Sequence, residues 1–354
     1  MKQSGLVELL GIDHPVVLAP FGGLSSVDLT ALVSRCGGLG SYGLYGYSPE
    51  RIGEVIAQVH SATEAPFAVN LWLPTGSEVS PGGADLSASR EVLAEFFAEL
   101  DLAPPEQPES FLPSFDEQFE AVLAGGPAAV SFVYGVPPRP VVRRAHEAGI
   151  VVMGTATTPE EAVALAEGGV DVVVATGAEA AGHRAAFLRD AETSLMGTFA
   201  LVPQVVDAVS VPVVAAGGIS DRRGVAAAFA LGASGVQVGT AFLATRESAA
   251  NDAHRAAIRS TPGADSVLTR AMSGRWARGA RNRAVATIEA AARRDPAAIA
   301  PFPAQNWLTG QFRREAGRRG AGQLQSLWLG QAAPLARFDG AEEVFAELLA
   351  GLAQ

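Results

Sequence analysis

Between Val16 and Val238 the chain repeats one pattern. A short run of β-branched and other apolar residues stops at Gly, Pro or a polar residue, and a segment with apolar positions at helical spacing follows. The first run, Val16-Val17-Leu18-Ala19, is halted by Pro20-Phe21-Gly22-Gly23. Ser25 and Ser26 are placed to cap the next helix, where Leu29, Leu32, Val33 and Cys36 recur at i, i+3, i+4 and i+7. Ser48-Pro49-Glu50 starts another helix, with proline in the first turn and an acid at the positive end of the helix dipole. Thr158-Pro159-Glu160-Glu161 repeats that start, and Ser220-Asp221 caps a later helix. The apolar runs predict eight strands, at 16–19, 39–42, 66–71, 128–132, 150–153, 170–175, 211–216 and 235–238. Eight such strands separated by helices make an α/β chain of the (β/α)8 TIM-barrel class. A doubly wound open sheet is the competing architecture. It usually needs fewer strands, and its G-x-G-x-x-G fingerprint is absent after the first one.

The rhythm breaks twice. Residues 72–115 are rich in Pro, Gly and Ser, with one helical stretch at 91–100, and read as an insertion rather than a domain. Residues 245–335 are Arg- and Ala-rich, helical in parts, and carry three of the four tryptophans, Trp276, Trp307 and Trp328. Val344, Phe345, Leu348, Leu349 and Leu352 then return to helical spacing, as an eighth barrel helix would. The expected organisation is a barrel formed by residues 1–244 and 336–354, with a helical cap or substrate subdomain, 245–335, inserted near the C-terminus. Such a cap either closes over the barrel mouth or serves self-association, so a homodimer is one expected assembly.

Composition narrows the class. With 48% hydrophobic and 18% charged residues, the 354-residue chain buries a sizeable core and is not disordered. A net charge of −11 argues against nucleic acid or an anionic membrane as the main partner. The N-terminus lacks a charged-then-apolar signal pattern and no apolar stretch is long enough to span a bilayer, so a cytoplasmic protein acting on a small molecule is expected. One cysteine excludes an internal disulfide framework, and five scattered histidines give no metal-ligand cluster. Cys36, before Gly37-Gly38, reads as a small buried residue.

In barrels of this class, function gathers where the βα loops converge, at the C-terminal ends of the strands. Those ends carry Pro20-Phe21-Gly22-Gly23, Asn70, Thr176, His183, Gly217-Gly218 and Gly239-Thr240. Glycines after the seventh and eighth strands suit a phosphate, because without a Cβ the backbone N–H groups approach the oxygens closely. The amide of Asn70 could bond a heterocycle edge, or could cap a turn. His183 follows the sixth strand and is the group there suited to proton chemistry near pH 7; its neighbour Arg184 reads either as tuning it or as pointing to solvent. His14, His60, His146 and His254 lack such placement and read as structural.

These residues resemble those of class I nitronate monooxygenases, formerly grouped as 2-nitropropane dioxygenases. The likeness runs nearly the whole chain. It lies in Ala19-Pro20-Phe21-Gly22-Gly23, Glu179-Ala180-Ala181-Gly182-His183-Arg184, Ala216-Gly217-Gly218-Ile219 and Gln237-Val238-Gly239-Thr240-Ala241-Phe242. It extends to Ala277-Arg278-Gly279-Ala280-Arg281-Asn282 and Ser326-Leu327-Trp328-Leu329-Gly330-Gln331. The resemblance implies an FMN-dependent barrel that oxidises alkyl nitronates, such as propionate 3-nitronate, with O2. On that basis Phe21, Gly22 and Gly23 would pass close to the flavin ring and Asn70 would bond its polar edge. Gly217, Gly218, Gly239 and Thr240, supported by Gln237, would hold the phosphate, and His183 would act on the substrate. The chain departs from the family pattern at Phe21-Gly22, at Thr176, where a flavin-contacting glutamine is usual, and at Ala181, where a glycine is usual. The rival expectations are an NAD(P)H-dependent enoyl-thioester or quinone reductase of the same superfamily, and a non-catalytic barrel that binds flavin or a phosphate ligand.

Overall fold

The computed structural model describes residues 2–352. A first helix, α1 (Lys2–Leu10), precedes β1 (Val16–Leu18), α2 (Val27–Arg35), β2 (Gly40–Gly43), α3 (Pro49–Ala62) and β3 (Phe67–Trp72). A long excursion carrying α4 (Ser87–Glu99) leads to α5 (Phe115–Gly125), β4 (Ala129–Val133), α6 (Arg139–Glu147), β5 (Val151–Ala156), α7 (Pro159–Glu167) and β6 (Val172–Thr176). The two-residue β7 (Gly182–His183) comes before α8 (Thr198–Ala208), β8 (Val213–Ala216), α9 (Arg222–Ala230) and β9 (Gly235–Val238). The remaining elements are α10 (Thr240–Leu243), α11 (Asp252–Ser260), β10 (Ser266–Thr269), β11 (Ala277–Ala280), α12 (Arg283–Ala292), α13 (Ala304–Arg318) and α14 (Ala341–Leu349).

Eight strands pair in parallel in the order β1-β9-β8-β6-β5-β4-β3-β2, and a parallel bridge from Val17 to Leu39 completes the ring. The TIM barrel expected from the strand count is therefore the fold. Its helix starts follow the side-chain chemistry read from the sequence. Ser26 accepts from the Leu29 N–H, Ser48 from Arg51, Thr158 from Glu161 and Asp221 from Arg223, each satisfying a donor the helix itself leaves open.

Because side chains alternate along a strand, each barrel strand shows one face to the helices and the other to the barrel axis. In β6, Val173 and Ala175 join the helix-side core, whereas Val172 and Val174 pack inward with Val17, Ala68, Ala129, Met153 and Val214. Leu6 and Leu10 of α1 join this inner cluster, so α1 plugs the N-terminal end of the barrel. The sequence pattern does not announce that plug. Following the same parity to the C-terminal end brings up Asn70, Ser131, Thr155, Thr176 and Gln237, all on the wall of one cavity. The barrel interior is thus apolar at the sealed end and polar at the mouth.

A second core lies beyond the mouth, where Leu93, Phe96, Phe97 and Leu100 pack against Ile288 of α12 and Leu308 and Phe312 of α13. The excursion after β3 and the segment after β9 therefore share one packed unit. That later segment is not purely helical. Its β10 and β11 form an antiparallel pair, and β11 also pairs with β7 from the barrel side. The chain returns to the barrel in α14, which packs against α2 and α9.

Candidate active site

The polar mouth encloses a cavity of about 250 Å3. Phe21, Gly22, Asn70, Thr176, Ala181, His183, Gly217, Gly218, Gln237, Gly239 and Thr240 all line it. Gly23 does not join them: the chain turns there at a φ of +75°, and the residue lines an adjoining cavity instead.

His183 is held in β7 rather than on a free loop. It pairs in register with Ala277 of β11, and the next N–H, of Arg184, donates to the Trp276 carbonyl at 2.8 Å. The imidazole Nε2 lies 2.8 Å from Ser273 Oγ, and that hydroxyl donates to the Arg275 carbonyl at 3.0 Å. With the serine hydrogen committed, the hydrogen-bond pattern assigns the imidazole proton to Nε2, which leaves Nδ1 with its lone pair. The rings of Trp72 and Trp328 lie 5.0 and 5.5 Å from the imidazole, centroid to centroid. Burial, joined by the positive charges of Arg275 and Arg313, pushes the His183 pKa down from 6.5 to about 3. At neutral pH the imidazole is uncharged.

Arg184 neither tunes His183 nor reaches solvent, contrary to both sequence readings. Its side chain is buried, and its Nη atoms donate to the carbonyls of Gly177, Thr176 and Ser194. It pins the loop after β6, and two acids complete the anchoring. Glu161 accepts from the N–H groups of Phe187 and Leu188 at 2.6 and 3.2 Å. Glu179 accepts from the Thr198 N–H and hydroxyl, which caps α8. The Thr198 hydroxyl also lies 2.8 Å from the Gly217 carbonyl, tying this loop to the glycine turn after β8.

That turn requires glycine. Gly217 and Gly218 have φ of +95° and +75°, and a Cβ on Gly217 would come within 3.1 Å of the Ala180 nitrogen. Across the mouth, Thr240 Oγ1 accepts from the Gly330 N–H at 3.1 Å. A Cβ on Gly330 would stand 2.7 Å from the Glu179 carbonyl, so Leu329-Gly330-Gln331 closes tightly over the same loop. Asn70 donates through Nδ2 to Ser131 O and Oγ at 3.1 and 3.0 Å, leaving its amide oxygen as an acceptor on the cavity wall.

Ser131 and Thr155 sit at the same inward parity as Asn70, a signal present in the sequence that the motif reading passes over. Trp72, Ser273 and Arg313 carry no such local signal, because the fold alone brings them to His183. The other histidines are spoken for. His254 is buried with Nε2 2.9 Å from the Trp328 carbonyl, His60 lies 3.0 Å from the Gly125 carbonyl, and His146 pairs with Asp171 at 2.9 Å. His14 packs near the Phe345 ring.

The nitronate monooxygenase family model matches residues 3–351 of the chain. A nitronate monooxygenase from Pseudomonas aeruginosa is 42% identical over 335 residues, which covers 93% of each chain. Among solved structures, a nitroalkane oxidase from Streptomyces ansochromogenes superposes with a TM-score of 0.87 at 35% identity, covering 99% of this chain and 98% of that one. FabK from Thermotoga maritima superposes with a TM-score of 0.77 at 27% identity, covering 98% and 95%. The match over nearly the whole length, on a barrel whose mouth gathers the histidine and the glycine turns, places this chain in the nitronate monooxygenase family of oxidoreductases.

Proposed function

We propose that the cavity binds FMN and oxidises alkyl nitronates, such as propionate 3-nitronate, with O2, His183 acting on the substrate. The observation that carries this reading is His183, held through Nε2 on Ser273 and sharing one cavity with the two glycine turns in a chain of this family.

The residues present fit the cofactor. Gly217, Gly218, Gly239 and Thr240 would hold its phosphate, because positive-φ glycines and the first N–H groups of α10 offer donors without side-chain obstruction. The amide oxygen of Asn70 would accept from a ring N–H. Phe21, Gly22, Thr176, Ala181 and Gln237 would line the remainder. FMN, when bound, supplies the redox chemistry, taking electrons from the nitronate and returning them to O2.

His183 Nδ1 takes the α-proton of a nitroalkane, and Ser273 holds the imidazole in the required tautomer. Trp72 and Trp328 cover the imidazole and limit water around the new anion.

Anaerobic mixing of FMN-replete protein with nitronate, and separately with NADH, tests the reading. The expected result is loss of the flavin absorbance with nitronate and none with NADH. Bleaching by NADH alone would replace it with the reductase reading. No response to either donor, in wild type and His183→Ala alike, would leave a binding module.

A further inference from the structure

Resting on the nitronate-oxidising reading, we propose that Arg275 is a positioning residue for the His183 imidazole, clamped by Glu78 from the excursion after β3. The linkage starts at Ser273. Its hydroxyl lies 2.8 Å from His183 Nε2, accepts from the Arg275 N–H at 3.3 Å and donates to the Arg275 carbonyl at 3.0 Å. Those three contacts use one hydrogen and two lone pairs, the full capacity of a hydroxyl. Both backbone groups that direct the serine therefore belong to Arg275.

The turn that carries them is tightly packed. Gly274 has a φ of +81°, and a Cβ there would stand 2.7 Å from the Ala300 carbonyl oxygen and 2.8 Å from the Phe302 nitrogen. The Gly274 N–H donates to the Arg270 carbonyl at 2.8 Å, and Arg270 Nε donates to the Gly274 carbonyl at 3.1 Å. The Arg275 side chain ties this turn to distant parts of the chain. Its guanidinium lies 3.8 Å from the Phe302 ring centroid and 4.4 Å from that of Tyr134. Nη2 donates to Glu78 Oε1 at 2.7 Å and to Thr75 Oγ1 at 3.0 Å. Glu78 is already set by its own loop, accepting from the Thr75 N–H at 3.0 and 3.1 Å and from the Thr75 hydroxyl at 2.9 Å. The two side chains are only 15% and 18% exposed, so solvent screens this pair less than a surface one.

The clamp reaches His183 by a second route. The rings of Phe302 and Tyr134 lie 5.9 and 4.9 Å from Trp72, which is itself 5.0 Å from the imidazole. A guanidinium on both rings holds the aromatic wall against which the imidazole rests. Arginine suits this place because its planar cation stacks on aromatic faces while its edge hydrogens pair with a carboxylate. The compact ammonium of lysine pairs but does not stack.

Wild type, Arg275→Met, Arg275→Lys and Glu78→Gln are compared, FMN-loaded, on a neutral nitroalkane and on its preformed nitronate. Arg275→Met should lose about 10- to 100-fold in kcat on the nitroalkane, with KM within about threefold, and far less on the nitronate. Arg275→Lys should recover part of that loss. Glu78→Gln should lose less, and adding it to Arg275→Met should cost nothing further, because Glu78 acts through the arginine. NMR of protein labelled at the histidine nitrogens gives a readout apart from turnover, the His183 signals being those missing from His183→Gln. The proton should reside on Nε2 in wild type and be shared with Nδ1 in Arg275→Met. If Arg275→Met fails to fold, Arg275→Gln takes its place in every comparison. Equal losses on the two substrates, a loss confined to KM, losses that multiply in the double variant, or an unchanged tautomer in Arg275→Met each overturns the proposal. Should wild type oxidise neither substrate form while the tautomer still depends on Arg275, the oxidation reading fails and the positioning role stands.

Discussion

Ser273 Oγ gives its one hydrogen to the Arg275 carbonyl, so the proton of His183 stays on Nε2 and Nδ1 keeps the lone pair that the proposed role as base requires. Removing the imidazole in His183→Gln should lower kcat/KM on a neutral nitroalkane by about 100- to 10,000-fold. The loss on a nitronate formed beforehand should be far smaller, since no proton then has to leave; steady-state oxygen uptake with the two substrate forms checks this. Ser273→Ala should reduce the nitroalkane rate in the same sense by a smaller factor. The sign of the pH effect on stability follows from the depressed pKa. The folded protein holds His183 neutral down to about pH 3, whereas the unfolded chain protonates it near 6.5. Its contribution is complete above pH 6.5, declines below that and is gone at about pH 3. His183→Gln should therefore lose less melting temperature than wild type on acidification through that window. His183 is legible in the sequence because it stands in a polar, glycine-rich stretch behind an apolar run. Ser273, 90 residues away, is not, because nothing local marks a serine as a partner for that ring. The anchoring role of Arg184 escapes the sequence for a related reason: an arginine beside a histidine says nothing about the three carbonyls that the loop folds around it.

Two kinds of element hold the mouth in place, the turns that follow the strands and the helix that seals the far end. Gly218 has a φ of +75°, a region that costs a side-chain-bearing residue about 1–2 kcal/mol. Gly218→Val should reduce the FMN retained after purification while leaving far-UV circular dichroism close to wild type. At the other end, Leu6 is fully buried against the inner apolar cluster, and Leu6→Ala should cost about 2–5 kcal/mol in urea unfolding with little change in KM. The strands and their caps were readable because period-2 burial and Ser, Thr or Asp before a helix are local signals. Parity extends that reading further than the motifs did: from Asn70 and Thr176 inward-facing in their strands, Ser131, Thr155 and Gln237 follow on the neighbouring ones. The helix α1 and the short β7 escape it. The first has a weak apolar face, and the second is a strand only because β11 arrives to pair with it.

At the scale of the whole molecule, the barrel supplies a rigid polar mouth and the second core roofs it. That roof draws on α4 as well as on α12 and α13, so its stability depends on segments nearly two hundred residues apart, which no local pattern connects. Phe312 is fully buried among Phe96, Phe97 and the helices around them. Phe312→Ala should destabilise by about 3–5 kcal/mol and raise KM, because the same helix carries Arg313 to the cavity. The fold class, the strand ends and the glycine turns were thus accessible from the chain alone, while the roof and its contribution to the site were products of tertiary packing. The most direct test of the account is oxygen consumption by the FMN-replete protein supplied with propionate 3-nitronate at neutral pH. Sustained uptake that depends on nitronate and needs no NADH is expected. Absence of uptake, from protein whose flavin content and circular dichroism show it loaded and folded, would contradict it.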